Sequence, residues 1–385
     1  MEITIAYNSS IPLHTQLLNQ LRHLILSGQW APGRRIPSET ELQRQLKISR
    51  STIRQALHKA EAERLIERVP GRGTFVASLS SNNDTSHLIG YITVDLLNSD
   101  FQYQLLSGAE SAAKEKGYRI LFSNSNQDVD QESRLLNQLL EDKVGGILIW
   151  PALPDDPTRR LFQLAQQGSI PIVLMDRTLP SLNCDCVASD NYAGGYNAVK
   201  HLADLGHQRI AFLSRPILQL STIAERFRGY QRALQDASLT PLQPWLVGTA
   251  DQELRTRPAL SAYSSGVGPE IKQIAQYLES SERPMAIFAM NDLMALQALK
   301  AASQVGLRVP DDLAVVGFDD TVLLAHLEVP LTTVAQDAFG LGQRAAELLI
   351  ERIEGYNGPP RQKLLPTQLR VRASTIIPAT LQVTV

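Results

Sequence analysis

From Leu88 onward the chain repeats one unit, a short uninterrupted apolar run beside an amphipathic helical stretch. The runs are Leu88 to Val94, Arg119 to Phe122, Gly146 to Trp150, Ile170 to Met175, Arg209 to Leu213, Pro284 to Met290 and Leu313 to Phe318. A strand that is apolar at almost every position has no wet face, so both of its sides must be covered, and the intervening helices supply the cover. The pattern predicts an α/β fold with parallel, doubly wound sheets. Roughly 300 residues exceed what one core usually fills, so two such sheets facing one another are expected.

The first 76 residues follow a different rule. Pro12 opens a helix whose apolar residues Leu13, Leu17, Leu21, Leu24 and Ile25 recur at three- and four-residue steps, and Gly28 with Pro32-Gly33 ends it. Ser38 followed by Glu41 is a capping-box start for a second helix, Glu39 to Leu46. Ser49 caps a third, Arg50 to Glu63. Ile66 to Pro70 and Thr74 to Ala77 then alternate as two strands around Gly71-Arg72-Gly73. Three helices and a hairpin in that order make an N-terminal winged helix-turn-helix. Between the two parts, Ser78 to Ser86 has almost nothing to bury and is expected to form a flexible tether. The expected organisation is a head at residues 1–77, a linker at 78–87 and a two-lobed body at 88–385.

Charge separates the same two parts. Residues 1–76 carry eleven Lys and Arg against six Asp and Glu, a formal charge of +5, which leaves −7 for the rest of a chain whose total is −2. A basic head on an acidic body can meet a phosphate backbone with one end while the other stays away. No run approaches the roughly 18 to 20 apolar residues of a membrane span, and Met1-Glu2-Ile3-Thr4 lacks a secretory start, so a cytoplasmic protein with no membrane partner is expected. The two cysteines, Cys184 and Cys186, cannot build a disulfide framework, and no His pair completes a zinc site with them. They read as strand residues, and no metal or other cofactor is expected.

A helix lying in the major groove presents its first residues to base edges, and here those are Arg50, Ser51, Thr52 and Arg54. Arginine can fork to guanine O6 and N7, and hydroxyls suit phosphate oxygens. Arg72, between two glycines, is placed to enter a minor groove. The head resembles the GntR family of bacterial regulators through P-L-H-T-Q-L at Pro12 to Leu17, G-Q-W-A-P-G at Gly28 to Gly33, I-P-S-E-T-E-L at Ile36 to Leu42, S-R-S-T-I-R-Q-A-L at Ser49 to Leu57 and G-R-G-T-F-V at Gly71 to Val76. The resemblance implies DNA contact by Arg50, Thr52, Arg54 and Arg72, with Ser38 and Thr40 contacting phosphate or base. Arg64 departs from it, standing where the family usually has a glycine.

The body resembles the ligand-binding domain of the LacI/GalR repressors and their periplasmic sugar-binding relatives. The matching pieces include I-P-I-V-L-M-D-R at Ile170 to Arg177, S-D-N-Y-A-G-G at Ser189 to Gly195, R-F-R-G-Y at Arg226 to Tyr230, F-A-M-N-D at Phe288 to Asp292, V-V-G-F-D-D at Val315 to Asp320 and L-T-T-V-A-Q-D at Leu331 to Asp337. The residues agree with it. Ligands of open parallel sheets lie beyond the carboxyl ends of the strands, and Asp95, Asp176, Asn291 and Asp319 each follow an apolar run. Carboxylates and amides converging there suit a polyhydroxylated or otherwise polar ligand, and Arg226 can fork onto hydroxyls or a carboxylate. Phe101 reads equally as a stacking wall or as core. Asp190 and the Asn291-Asp292 pair also read as helix caps, with Asp292 the better cap of the two. Trp245 reads as core and His207 as a turn residue. Thr249 to Ser265 is longer than the family pattern.

The pairing of the two parts resembles the arabinose-repressor family. It implies a ligand-responsive transcriptional repressor that binds double-stranded operator DNA with its head and a small polar effector, a sugar first among candidates, with its body. A homodimer is expected, because two heads are needed to read two half-sites. The competing reading is a sugar-processing enzyme that uses Asp176 and Asp319 as paired carboxylates. It offers no nucleophile elbow, phosphate loop or metal triad, and leaves the head without a purpose. A transport component is disfavoured by the missing secretory start.

Overall fold

The head closes around the apolar stripe of its first helix. A computed structural model of the chain describes residues 3–7, 11–31, 33–63, 65–69, 72–76, 87–94, 100–152, 160–168, 170–179, 181–248, 268–280, 283–322 and 326–376. Leu17 and Leu21 of α1 (Leu13–Leu26) meet Leu42 of α2 (Glu39–Leu46) and Ile53 and Leu57 of α3 (Arg50–Ala62), all fully buried. The capping box forms as expected. Ser38 Oγ accepts from the Glu41 amide at 3.3 Å while Glu41 Oε2 accepts from the Ser38 amide at 2.7 Å, so two orphan donors of α2 are satisfied at once. Lys47, in the left-handed region, ends α2 and turns the chain into α3, which Ser49 caps through the Thr52 amide at 3.1 Å.

The wing is an antiparallel pair, β1 (Ile66–Val69) and β2 (Gly73–Val76), and Arg35 bridges to Phe75 to seat it against the head. Arg64, Gly71 and the expected tether lie outside the described residues, as does Thr249 to Ser265. By contacts the chain divides into two compact units, Met1–Thr85 and Ser86–Val385.

In the second unit all seven apolar runs become strands of two sheets. The first sheet has the order β4 (Arg119–Asn124), β3 (Leu88–Thr93), β5 (Gly146–Ile149), β6 (Ile172–Met175), β7 (Asp185–Ser189), β13 (Gln362–Leu365), and every pair in it is parallel. The second has the order β9 (Trp245–Leu246), β8 (Ile210–Ser214), β10 (Ala286–Ala289), β11 (Ala314–Asp319), β12 (Thr332–Ala335), β14 (Gln368–Arg370); only β14 runs antiparallel. The helices cover their faces: α4 (Asp100–Glu115), α5 (Val129–Glu141) and α6 (Arg160–Gln167) belong to the first lobe, and α7 (Asn191–Asp204), α8 (Ser221–Asp236), α9 (Pro269–Leu278) and α10 (Asp292–Gln304) to the second. The fold is the expected two-lobed α/β one.

The chain passes between the lobes three times: from β7 into α7, from β12 into α11 (Ala338–Ile353), and from β13 into β14. Asp190 links the first and third passages, its amide donating to Leu365 O at 2.8 Å, and its carboxylate caps α7 through the Ala193 amide at 2.8 Å. β7 was not among the expected runs because it opens with a charge. That charge is buried and paired: Arg352 donates to both Asp185 oxygens at 3.0 and 2.8 Å, and Arg361 to Oδ2 at 2.8 Å. Cys186 lies within β7 and Cys184 just before it, both buried, and burial pushes the Cys184 thiol up to about 12. Trp245 is buried in the core of the second lobe and His207 is half-buried in the turn after α7. Among the described residues no helix is long and apolar enough to cross a membrane.

Candidate functional site

Two clusters of polar side chains stand apart from the cores, one in each unit. In the head, the start of α3 projects Arg50 and Arg54 into solvent one turn apart. Both reach the same oxygen, Glu39 Oε2 at the first position of α2, at 3.3 and 3.5 Å. Burial raises the Glu39 pKa, but hydrogen bonds from Arg54 and Arg50 outweigh it, and the carboxyl is held below its ordinary value. Around the same helix start, Ser49 Oγ contacts Ser51 Oγ at 2.8 Å and Thr52 Oγ1 at 2.7 Å. Ser38 and Thr40 are exposed at the start of α2, and Arg72 is exposed at the turn of the wing, where its amide donates to Val69 O at 3.0 Å. Exposed guanidinium groups and hydroxyls at helix starts are what base edges and phosphates require. Glu39 was counted in the sequence only as a charge, because its pairing with α3 is made by the fold.

In the body, the second cluster lies where the strands end. Close packing of α7 on α8 sets it up: a Cβ on Gly195 would lie 2.4 Å from Arg226 O, and one on Gly229 2.3 Å from Tyr192 O. Only glycines allow that approach, which brings Arg226, itself buried, under the ends of β10 and β11. Its Nε donates to Asn191 Oδ1 at 2.8 Å and its Nη1 to Met290 O at 2.5 Å; its Nη2 lies 3.8 Å from Asp319 Oδ1, and its plane stacks 3.6 Å from the Phe318 ring centroid. Each nitrogen of Arg226 therefore has a protein partner.

Asp319 ends β11 at φ 122° and Asp320 follows at φ 58°, two consecutive non-glycine residues in a region that costs about 1–3 kcal/mol each. The turn is held from three sides. Gln336 Nε2, in the second passage between lobes, donates to Asp319 Oδ1 at 2.8 Å; Arg372 Nη2 donates to Asp320 Oδ1 at 2.6 Å; the Thr321 amide donates to Asp292 Oδ2 at 2.8 Å. Burial pushes Asp319 up to about 8, with Arg226 pulling down and Asp292 and Asp176 pushing further up. Asp292 is pushed up to about 6, again mainly by burial. Asp176, also left-handed at φ 63°, is buried at the end of β6 and raised by burial against the pull of Arg177 and Arg226.

A cavity of about 270 Å³ opens between residues of the two lobes. Asp176, Arg177, Thr178 and Ser189 line it from the first lobe, and Gln219, Ser221, Thr222 and Glu225 from the second. Across it the Thr178 amide donates to Ser221 Oγ at 3.1 Å. Phe101 is half-buried in α4 and meets Trp150 edge-on at 5.7 Å, while Arg177 lies 5.5 Å over the same Trp150 ring. The fold thus brings Asp176, Arg226 and Asp319 together, and Phe101 stands with Trp150 on the first lobe. Asp95 lies outside the described residues. Of the Asn291-Asp292 pair the cap is Asn291 and not Asp292: Asn291 caps α10 through the Met294 amide at 2.9 Å, and Asp292 turns inward to Thr321 and Thr333. Gln219, Ser221, Thr222 and Glu225 were not singled out in the sequence; their one signal was their place just before Arg226. Among the described residues no group of three or more His, Cys, Asp or Glu could hold a metal ion.

A family model described as bacterial regulatory proteins of the gntR family matches residues 13–76, and one described as a periplasmic binding protein-like domain matches residues 199–375. The arabinose metabolism transcriptional repressor of Geobacillus stearothermophilus is 32% identical over 349 residues, covering 90% of this chain and 92% of its own length. Among solved structures, the transcriptional regulator CelR in complex with cellobiose superposes with a TM-score of 0.64 at 27% identity, over 85% of this chain and 92% of that one. The lac repressor dimer bound to operator and the anti-inducer ONPF superposes with a TM-score of 0.65 at 26% identity, over 81% of this chain and 100% of that one.

A winged head joined to a two-lobed body with an interlobe cavity defines the class of ligand-responsive transcriptional repressors. Within that class the chain belongs to the family of the arabinose metabolism transcriptional repressor, with a gntR-type head on a periplasmic-binding-protein-like body.

Proposed function

We propose that this repressor binds operator DNA as a cytoplasmic homodimer through Arg50, Ser51, Thr52, Arg54 and Arg72, with Ser38 and Thr40 on the flanking phosphates. Its effector is a sugar bound in the interlobe cleft. The observation that carries this reading is the cavity between the lobes, where Asp176, Glu225, Gln219 and the hydroxyls of Ser189 and Ser221 sit among apolar neighbours such as Leu220 and Leu364. Such a lining gives and accepts hydrogen bonds in many directions, as a polyhydroxylated ligand needs. Asp176, which lines the cavity, is the acceptor for a ring hydroxyl; Asp319 and Asn291 at neighbouring strand ends, and Phe101 with Trp150, lie outside that lining and are read as contacts that cleft closure brings to the ligand. Arg226 shapes the site by holding Asp319, rather than by spending its donors on the ligand.

Cleft closure on a sugar changes how paired bodies present their heads, and the three passages between lobes are the elements that bend. We read the protein as a binding protein and not an enzyme: of the two carboxyls that could be paired for hydrolysis, Asp176 is buried and Asp319 is engaged by Arg226 and Gln336, so among the described residues this pair is not set to act on a glycosidic bond. Support for the sugar comes also from the relatives, one named for arabinose metabolism and one solved with cellobiose. The test is a thermal-shift screen of free sugars and nucleobases, followed by gel retardation of the duplex that the protein selects from a random library. A sugar that raises the melting temperature and changes the retarded fraction supports the reading. A nucleobase as the tightest hit, or turnover of any sugar, overturns it.

A further inference from the structure

Asp319 and Asp320, at φ 122° and 58°, hold conformations that glycine takes freely and other residues take only under constraint. Part of that constraint comes from far along the chain. Arg372 lies two residues past β14, beyond the third passage between the lobes. Its Nη2 donates to Asp320 Oδ1 at 2.6 Å, and the two side chains are only 23% and 24% exposed. The guanidinium is itself fixed: Nη1 donates to Leu331 O at 2.8 Å, and the Arg372 amide donates to Thr332 Oγ1 at 2.8 Å, at the start of β12. Neither Arg372 nor Asp320 lines the interlobe cavity.

We propose that Arg372 is a positioning residue of the effector site, which grips Asp320, keeps the Asp319–Asp320 turn left-handed and so aims the Asp319 carboxylate. The proposal rests on the reading of Asp319 as an effector contact that cleft closure completes. A side chain takes its direction from the backbone that carries it. A return of either residue to negative φ would swing Asp319 away from the Gln336 amide that now meets it at 2.8 Å. A charge-assisted bond to a partly buried carboxylate is the stronger kind, and here it holds one end of the turn. The Thr321 amide, bonded to Asp292 Oδ2 at 2.8 Å, holds the other. Gln336 stands in the second passage and Arg372 just beyond the third, so the turn is tied to two of the three segments that bend when the lobes close. The share of molecules with the turn in place then sets the apparent affinity for the effector.

The experiment is titration calorimetry on the full-length protein, and the probe is the free sugar that gives wild type its largest thermal shift. Arg372→Gln is expected to bind that sugar about tenfold more weakly. Arg372→Lys keeps a cation with a single point of contact, so it should lose about threefold, and it guards against misfolding of the first variant. Asp320→Gly removes the carboxylate but supplies a residue that holds φ 58° unaided, so it should stay within about threefold of wild type. With glycine in place, adding Arg372→Gln should cost nothing further, whereas a loss of general structure would add to the first. An unchanged sugar affinity in Arg372→Gln, or fully additive losses in the double variant, overturns the proposal. An Asp319→Ala variant that binds the sugar as wild type does, or a wild type that binds no free sugar, overturns instead the assignment of Asp319 beneath it.

Discussion

Arginine serves this protein in two opposite settings. Arg54 on the head lies mostly in water beside one shared carboxylate; Arg226 in the body is buried, stacked on Phe318 and tied by its three nitrogens to Asn191, Met290 and Asp319. An exposed pair contributes about 0–1 kcal/mol, so the first cation can be handed to another partner. Breaking a buried pair costs about 3–5 kcal/mol, because a charge is left without compensation, so the second stays where it is. The lesson is that the same side chain is left free to exchange partners in one place and is locked to its neighbours in the other, and burial tells the two settings apart.

Four changes sharpen or break this contrast. The largest effect is expected from Arg226→Met, which leaves the buried Asn191 Oδ1 and Met290 carbonyl without their donor: the body should lose about 3 kcal/mol in urea unfolding. A loss under about 0.5 kcal/mol would make Arg226 as expendable as a surface cation.

Next comes Asp319→Asn. The folded state raises the Asp319 pKa to about 8 from an ordinary value near 4, so it retains a proton that the unfolded chain releases. Its contribution to stability is therefore fully present below about pH 4 and is lost as pH rises through about 8. The variant should show a shallower decline of the unfolding midpoint over that range. Parallel profiles would mean that Asp319 is ionised at ordinary carboxylate pH.

Third, Ser38→Ala removes the cap of α2 and should destabilise the head by about 1 kcal/mol, read as a shift in its unfolding midpoint. The smallest change in stability belongs to Arg54→Ala, expected within about 0.5 kcal/mol of wild type by the same measurement. A larger loss would move Arg54 from the recognition surface into the architecture.

Much of this arrangement was legible in the sequence wherever the cause was local. The capping box at Ser38, the cap at Ser49, the Asp190 cap and the seven apolar runs depend on neighbours within a few residues, and all appear in the fold. What escaped depended on distant partners. β7 begins with Asp185, a poor strand residue until Arg352 and Arg361 arrive from far along the chain to neutralise it. The short strands β13 and β14 carry polar residues because each is a largely exposed edge strand of its sheet. Glu39 looked like one more charge in the first turn of a helix, and the contacts of Arg226 with Asn191, Met290 and Asp319 were not visible, because neither these partners nor the shared oxygen under α3 is written in spacing. The Asn291-Asp292 pair shows the limit most narrowly: either residue can cap a helix, and the choice falls to Asn291 because Asp292 is drawn inward by Thr321 and Thr333.

The division of labour between head and body is tested most directly by a crossed measurement on Arg54→Ala and Asp319→Ala. Each variant is assayed by anisotropy on the selected duplex and by thermal shift with the sugar that stabilises wild type. Arg54→Ala should lose about ten- to hundredfold in duplex affinity while keeping the sugar response, and Asp319→Ala should keep duplex affinity while losing the sugar response. If either substitution removes both activities in a folded protein, DNA reading and ligand sensing do not reside in separate units.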